Sequence, residues 1–325
     1  MYNQSQLKEI IDRALSALAY NDEAERLIEP VKYSLSVGGK RIRPILTLMS
    51  CNLFTDNITE AVQPAAGIEI LHNFTLVHDD IMDNASVRRN FPTAIAKWGL
   101  NQALLSGDVM MFLANECFLQ LPADKIQTVL KIFNSTAIQI CQGQQLDMDY
   151  EKKDFIVEED YIHMIKLKTA VLIAASLKIG AFIGGADEKE TKLLYDFGEN
   201  IGLAFQIQDD ILDIWSDEKV FGKVHGGDIA SNKKTYPFIK ALEIANVDQQ
   251  RKLRQLYSPK CTTKKEEKIK EVCSVFEELK IKEIATATAN KYIEKAFELL
   301  DEVNADSTRK TEMINMINSL IGRTR

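Results

Sequence analysis

The chain is poor in the residues that punctuate irregular or β-rich folds, with 7 prolines and 15 glycines in 325 positions. Strand-like alternation between turn signals is rare as well, which argues against a sandwich or barrel of short strands. Cysteine is scarce. Cys51, Cys117, Cys141, Cys261 and Cys273 are odd in number and scattered, with no C-x-x-C pair. That pattern argues against a disulfide framework and fits reduced thiols on apolar helix faces of a cytoplasmic protein. The four histidines, His72, His78, His163 and His225, form no H-E-x-x-H or paired ligand spacing, so no zinc site is expected. A basic surplus is missing too. The net charge of −7 argues against general affinity for nucleic acid or anionic membrane. An anionic ligand would need a local basic cluster or a metal.

Targeting and spanning signals are weak. The opening MYNQSQLKEIIDRALSAL is charged and amphipathic, without a signal-peptide core. The most apolar run, TAVLIAASLKIGAFIGGA at 169–186, is interrupted by Lys178 and weakened by Gly180, Gly184 and Gly185. It reads as a buried helix rather than a membrane span.

Helical spacing is abundant. Leu7, Ile10, Ile11, Ala14, Leu15 and Leu18 form one apolar stripe, and Met110, Leu113, Ala114, Cys117, Phe118 and Leu121 another. Breaks place helix joints near 20–23, 38–40, 55–59, 84–93, 121–124, 152–158, 185–188, 216–236 and 259–263. No low-complexity linker or short repeat divides the chain. The expectation is one all-α domain over residues 1–325, a large bundle of about ten or more helices.

Chemistry concentrates in two acidic clusters. LVHDDIMD (76–83) brings Asp79, Asp80 and Asp83 to the end of an apolar helix, and FQIQDDILD (205–213) repeats the D-D-x-x-D spacing with Asp209, Asp210 and Asp213. Residues i and i+4 lie about 40° apart on a helix, so Asp79 and Asp83 share a face, as do Asp209 and Asp213, with Gln206 joining them. One such cluster would read as a solvated helix end. Two, each continuing from an apolar helix, read as metal holders. Hard oxygen ligands with room for water suit Mg²⁺ bridging carboxylates to phosphates. Basic residues complete the pattern: Lys40, Arg41 and Arg43 in GGKRIRP (38–44), and Arg88 and Arg89 after the first cluster. Lys168 heads the apolar run, and Lys223, Lys233 and Lys234 follow the second cluster. GGKRIRP lacks P-loop spacing. Alone it is a solvated turn, but beside Arg88 and Arg89 it reads as a diphosphate cradle, since guanidinium groups bind phosphate bidentately.

GGKRIRP, LVHDDIMD with Arg88–Arg89, GQQLD (143–147), Lys168–Thr169 and FQIQDDILD occur in one order over residues 38–237. They are followed by Gly222–Lys223 and by Asp228 five before Lys233. In order and spacing the chain resembles the trans-isoprenyl diphosphate synthases of the polyprenyl synthetase family. The resemblance implies an isoprenoid synthase fold around a central cavity. It also implies head-to-tail condensation of isopentenyl diphosphate with a dimethylallyl, geranyl or farnesyl diphosphate, commonly by a homodimer. About three Mg²⁺ ions would stabilise the leaving diphosphate, with Asp79 and Asp83 on one side, Asp80 nearby, and Asp209 on the other side supported by Asp213. By the same match, Arg88, Lys168 and Lys223 contact the allylic diphosphate with Lys233 nearby, and Thr169 and Gln206 face the developing cation. Lys40, Arg43, His72 and Arg89 hold the second diphosphate without metal, and Gln144 and Asp147 line the cavity. His72 also reads as an ordinary core histidine.

Asn90 and Asn232 stand where the family usually has glycine, and asparagine tolerates the left-handed backbone those turns need. The fifth and fourth residues before Asp79 commonly set product length in the family. Here they are Phe74 and Thr75, one large and one small, which implies a C20 product, geranylgeranyl diphosphate, with C15 farnesyl diphosphate second. Phe74 has a plainer alternative as a core aromatic. A class I terpene cyclase would lack use for Lys40 and Arg43, and a non-catalytic partner subunit would have lost an acidic motif.

Overall fold

Apolar periodicity becomes helix almost throughout. The computed structural model describes residues 2–20, 22–215, 226–258 and 260–321, and their packing divides into two compact units. The first comprises 1–137, 172–195 and 303–316, the second 138–171, 196–302 and 317–325. Helix α1 (Gln4–Ser16) starts at Asn3, whose side chain and that of Gln6 cap each other's backbone N–H, and it buries Leu7, Ile11, Ala14 and Leu15. It is followed by α2 (Glu25–Ser36), α3 (Ile42–Asn52) and α4 (Thr59–Met82).

Helix α4 is apolar on nearly all sides, which makes it a central element, and it packs against α1, α3 and α6 (Leu100–Phe118). Between α4 and α6 lie a hairpin (Val87–Arg88 paired with Phe91–Pro92) and the short α5 (Ala94–Trp98). The hairpin occupies the expected break at 84–93. Its central residues Arg89 and Asn90 have φ of 52° and 66°, the positive values a two-residue I′ turn demands.

Four long helices contribute to both units: α7 (Ala123–Glu151), α9 (Val171–Ile183), α10 (Glu188–Trp215) and α16 (Ser307–Ile321). Two of the glycines that weaken the apolar run, Gly180 and Gly184, are contact points within the first unit. A Cβ on Gly180 would lie 2.0 Å from the Thr47 carbonyl oxygen, and one on Gly184 2.7 Å from that of Cys51. Ser50 Oγ donates to the Leu177 carbonyl at 2.6 Å across the same contact. No helix of the described residues is long and apolar enough to cross a membrane.

In the second unit, α8 (Glu158–Ile165) runs into a π-turn at Lys166–Ala170. Then come α11 (Gly227–Ala230), α12 (Tyr236–Ile244), α13 (Val247–Leu256), α14 (Lys265–Glu278) and α15 (Ile281–Glu302). Tyr161, Ile207, Ile211, Tyr236, Phe238, Leu253, Phe276 and Ala285 belong to this unit's core.

Candidate active site

The first acidic cluster sits at the C-terminus of α4, with Asp83 as the cap residue. This is the negative end of the helix dipole, where carboxylates are unfavourable without cations. Arg88 answers one of them: its Nε donates to Asp80 Oδ1 at 2.7 Å, and Asp80 is buried. Burial raises the Asp80 carboxyl above its usual range, with Arg88 opposing. Asp79 is half-buried and Asp83 exposed. The cluster therefore divides into one buried carboxylate paired with a partly exposed arginine and two carboxylates nearer solvent.

Behind it lies an arginine cluster. Arg41 has a left-handed backbone (φ 49°) and a buried side chain. Its Nη1 donates to Glu69 Oε1 at 2.7 Å, its Nη2 to the Leu35 carbonyl at 2.6 Å and its Nε to Asp12 at 3.2 Å. Of the three cations in GGKRIRP, this one pins the loop itself. Arg89 Nη1 donates to the Gly38 carbonyl at 2.7 Å, and a Cβ on Gly39 would lie 2.8 Å from that nitrogen. Lys40 is exposed.

Arg43 Nη1 lies 3.2 Å from His72 Nε2. Arginine only donates, so Nε2 accepts and the imidazole is neutral. Burial, followed by Arg43, Arg89, Arg88 and Arg41, keeps His72 well below its ordinary pKa of 6.5. Burial also lowers Arg43 to about 10, opposed by Glu69. Its Nε is buried without a hydrogen-bond partner among the described residues. A desolvated guanidinium N–H left unpaired is costly, and an anion would satisfy it. Sequence reasoning missed Glu69. Its signal was a lone acid in the apolar stretch GIEIL.

Phe74 and Thr75 point to different neighbours. Phe74 is half-buried against the His78 ring, with centroids 4.6 Å apart. His78 Nε2 is 3.3 Å from the Leu104 carbonyl of α6, and a Cβ on Gly107 would lie 2.3 Å from that nitrogen. Thr75 Oγ1 donates to the His72 carbonyl at 2.8 Å.

In the second unit, α10 carries the other acids. Asp210 is buried and accepts from the Tyr161 hydroxyl, from Tyr236 N at 2.9 Å and from Gln206 Nε2 at 3.2 Å. Burial, then Asp228, pushes its carboxyl up to about 7 despite those bonds. Asp213 is buried and receives Asp228 N on Oδ2 at 3.0 Å, which ties α11 to the cluster. Asp209 is half-buried.

Gln206 Oε1 accepts from Thr169 Oγ1 at 2.9 Å, and Lys168 Nζ donates to Asp147 at 2.5 Å. Both Lys168 and Thr169 lie on the π-turn, a distortion that tends to mark functional sites. Glycines make room for it. A Cβ on Gly143 would be 2.3 Å from Lys168 N, and one on Gly202 2.5 Å from Ala170 Cα. Gln144 and Lys233 are half-buried, and Lys233 N donates to the Asp228 carbonyl at 3.0 Å. Lys223 lies outside the described residues.

Among the described residues no three His, Cys, Asp or Glu side chains form a metal-holding group. Mg²⁺ is commonly held by one or two carboxylates together with substrate phosphates and water, and the hard oxygens of Asp79 and Asp83 in the first unit, and separately of Asp209 in the second, fit that chemistry.

A family model described as polyprenyl synthetase matches residues 24–276. The chain belongs to the polyprenyl synthetase family. It is 38% identical over 289 residues to the geranylgeranyl diphosphate synthase of Sulfolobus acidocaldarius, covering 88% of this chain and 87% of that one. A crystal structure of a geranylgeranyl pyrophosphate synthase shares 38% identity, with a TM-score of 0.95 over 99% of each chain. The geranylgeranyl pyrophosphate synthetase of Pyrococcus horikoshii gives 32% identity and a TM-score of 0.91 over 98% of this chain and 97% of that one. All-helical architecture is thus what the chain shares with prenyl synthases, and every polyprenyl synthetase motif quoted from the sequence falls inside the matched span.

Proposed function

We propose that the protein is a Mg²⁺-dependent short-chain prenyltransferase that condenses isopentenyl diphosphate with an allylic diphosphate and makes chiefly geranylgeranyl diphosphate. The observation that carries this reading is Arg43, whose buried, unpartnered Nε lies in a cluster with Arg41, Arg89 and a neutral His72. A cyclase ionises one diphosphate and needs no such second cradle.

In this reading Lys40, Arg43, His72 and Arg89 hold isopentenyl diphosphate. Arg88, Lys168, Lys223 and Lys233 hold the allylic diphosphate. Asp79, Asp83 and Asp209 would bind Mg²⁺, which supplies positive charge for the departing diphosphate. Asp80 and Asp213 act from behind, through the Arg88 pair and the Asp228 amide. The allylic C–O bond breaks with its electron pair leaving on pyrophosphate. The isopentenyl double bond attacks the carbocation, facing Thr169 and Gln206, and the proton lost from the adduct goes to pyrophosphate. Phe74 sets the floor for the growing chain, and the relative from Sulfolobus acidocaldarius is itself named for the C20 product.

The whole chain works as one catalytic domain in the cytoplasm, consistent with its free cysteines. It pairs as a homodimer whose second copy covers the outer face of α6, where Leu105, Phe112 and the cap residue Leu119 are exposed at seven-residue spacing.

The test is incubation of purified protein with isopentenyl diphosphate and each allylic diphosphate, with and without chelator. C20 product that disappears with chelator is expected. A cyclised hydrocarbon, or turnover in chelator, would overturn the reading.

A further inference from the structure

Lys268 lies on the first turns of α14, far in sequence from every motif, and is only 5% exposed. Its Nζ donates to Asn232 Oδ1 at 2.5 Å and sits 4.9 Å from the Tyr257 ring centroid. Its partners are thus an amide oxygen and a ring face. Burial holds its ammonium below the ordinary lysine range, with Cys261 opposing the shift and Lys234 adding to it. Removing an ammonium from water for one amide oxygen and one ring face is unfavourable by itself. The partner indicates what the arrangement achieves.

Asn232 has a φ of 60°, closes α11 with its N–H on the Ile229 carbonyl, and immediately precedes Lys233. Glycine would satisfy the backbone but offer Lys268 nothing. The other end of α11 meets the next residue of α14: a Cβ on Gly226 would lie 2.8 Å from Ile269 Cγ2. Neighbouring side chains of one helix therefore touch both ends of the segment joining Asp213, through Asp228 N, to Lys233.

We infer that the Lys268–Asn232 bond is a clasp that fixes the backbone carrying Lys233, which makes Lys268 a positioning residue for the allylic diphosphate. Its kinetic consequence rests on the proposed role of Lys233. Lys268 touches no substrate and works only through the loop.

The decisive variant is Asn232→Gly, because glycine keeps the left-handed turn unstrained while deleting the clasp. Asn232→Gly and Lys268→Met should each raise KM for the allylic diphosphate by about tenfold, as expected for a hydrogen bond to a charged group. KM for isopentenyl diphosphate should stay within about twofold. The double variant should be no worse than either single one, the signature of two residues sharing one interaction. Amide hydrogen exchange of residues 231–234 supplies a readout independent of catalysis, and both variants should lose protection there. Wild-type kinetics and protection in Asn232→Gly, or additive effects in the double variant, would overturn the clasp. If the wild-type protein showed no condensation, the functional reading would fail, while the exchange measurement would still decide the clasp.

Discussion

Arg43 and His72 show how much of the site depends on groups that sequence spacing does not reveal. GGKRIRP marks three cations, yet Arg41 is consumed by Glu69, Leu35 and Asp12, and Arg43 keeps a buried nitrogen for something else. Truncating Arg43 to alanine should therefore raise KM for isopentenyl diphosphate by roughly one to two decades, the worth of a charge-assisted bond. KM for the allylic substrate should change little. Steady-state kinetics with each substrate varied in turn will show it, and equal effects on both would contradict separate cradles. His72 carries a pH signature. Its pKa lies well below 6.5 in the fold, whereas the unfolded chain takes up its proton near pH 6.5. The unfolded state thus binds more protons as the pH falls below that value, and the stability present above it is lost on acidification. Replacing His72 by glutamine removes this contribution while leaving Arg43 an acceptor. The urea midpoint should accordingly drop less between pH 8 and pH 5 in His72→Gln than in wild type, and equal drops would refute a neutral buried imidazole. The acidic spacings were legible because three aspartates in five positions are rare. Glu69 was not, since one acid in an apolar run looks the same whether it serves an arginine or not.

Helix periodicity made the elements readable, and the breaks named from composition coincide with helix ends where the structure describes them, except that 216–236 also holds the short α11. The joints that escaped notice, at Gly99, Ala245–Asn246, Leu279–Lys280 and 303–306, are one to four residues long and carry few turn residues. Asn246 is capped reciprocally with Gln249, an N-x-x-Q signal that was available in the sequence. The π-turn was hidden for a different reason: it interrupts no apolar pattern and is permitted by glycines on other helices. A methyl group on Gly143 would meet the backbone of Leu167 and Lys168 at 2.7 and 2.3 Å, and backbone cannot swing aside as a side chain can. Gly143→Ala should destabilise the protein by about 1–3 kcal/mol, the usual cost of overpacking, and lower kcat by displacing Lys168. An unchanged melting midpoint together with unchanged kcat would show that the turn tolerates the methyl. Helix α4 places Phe74 toward α6 through His78, on a different side from Thr75. If Phe74 limits chain growth from that side, Phe74→Ala should lengthen the product by at least one five-carbon unit without harming the first condensation. Chromatography of the products decides it, and an unchanged distribution would place the floor elsewhere.

At the scale of the molecule, the net charge is −7, and several cations of the quoted motifs are held by other residues. Arg41 is tied to Glu69, Arg88 to Asp80, Arg89 to a loop carbonyl and Lys168 to Asp147. In the proposed reading, holding Arg88, Arg89 and Lys168 in this way leaves less ordering entropy to oppose diphosphate binding. The outer face of α6 follows the opposite pattern. Leu105, Phe112 and Leu119 recur every seven residues, an interval that drifts only about 20° around a helix, so they form one stripe. Phe112 is 72% exposed within the protomer. Exposed apolar stripes of this kind mark contact surfaces, and a two-fold pair buries the same stripe on both copies at once. Phe112→Asp would set two carboxylates against each other across such an axis, while a lone protomer would carry the substitution in water at little cost. Sedimentation velocity at micromolar concentration should show a dimer for the wild type and a monomer for Phe112→Asp, with helical content unchanged by circular dichroism. A wild-type monomer, or a dimer that survives the substitution, would remove α6 from the interface.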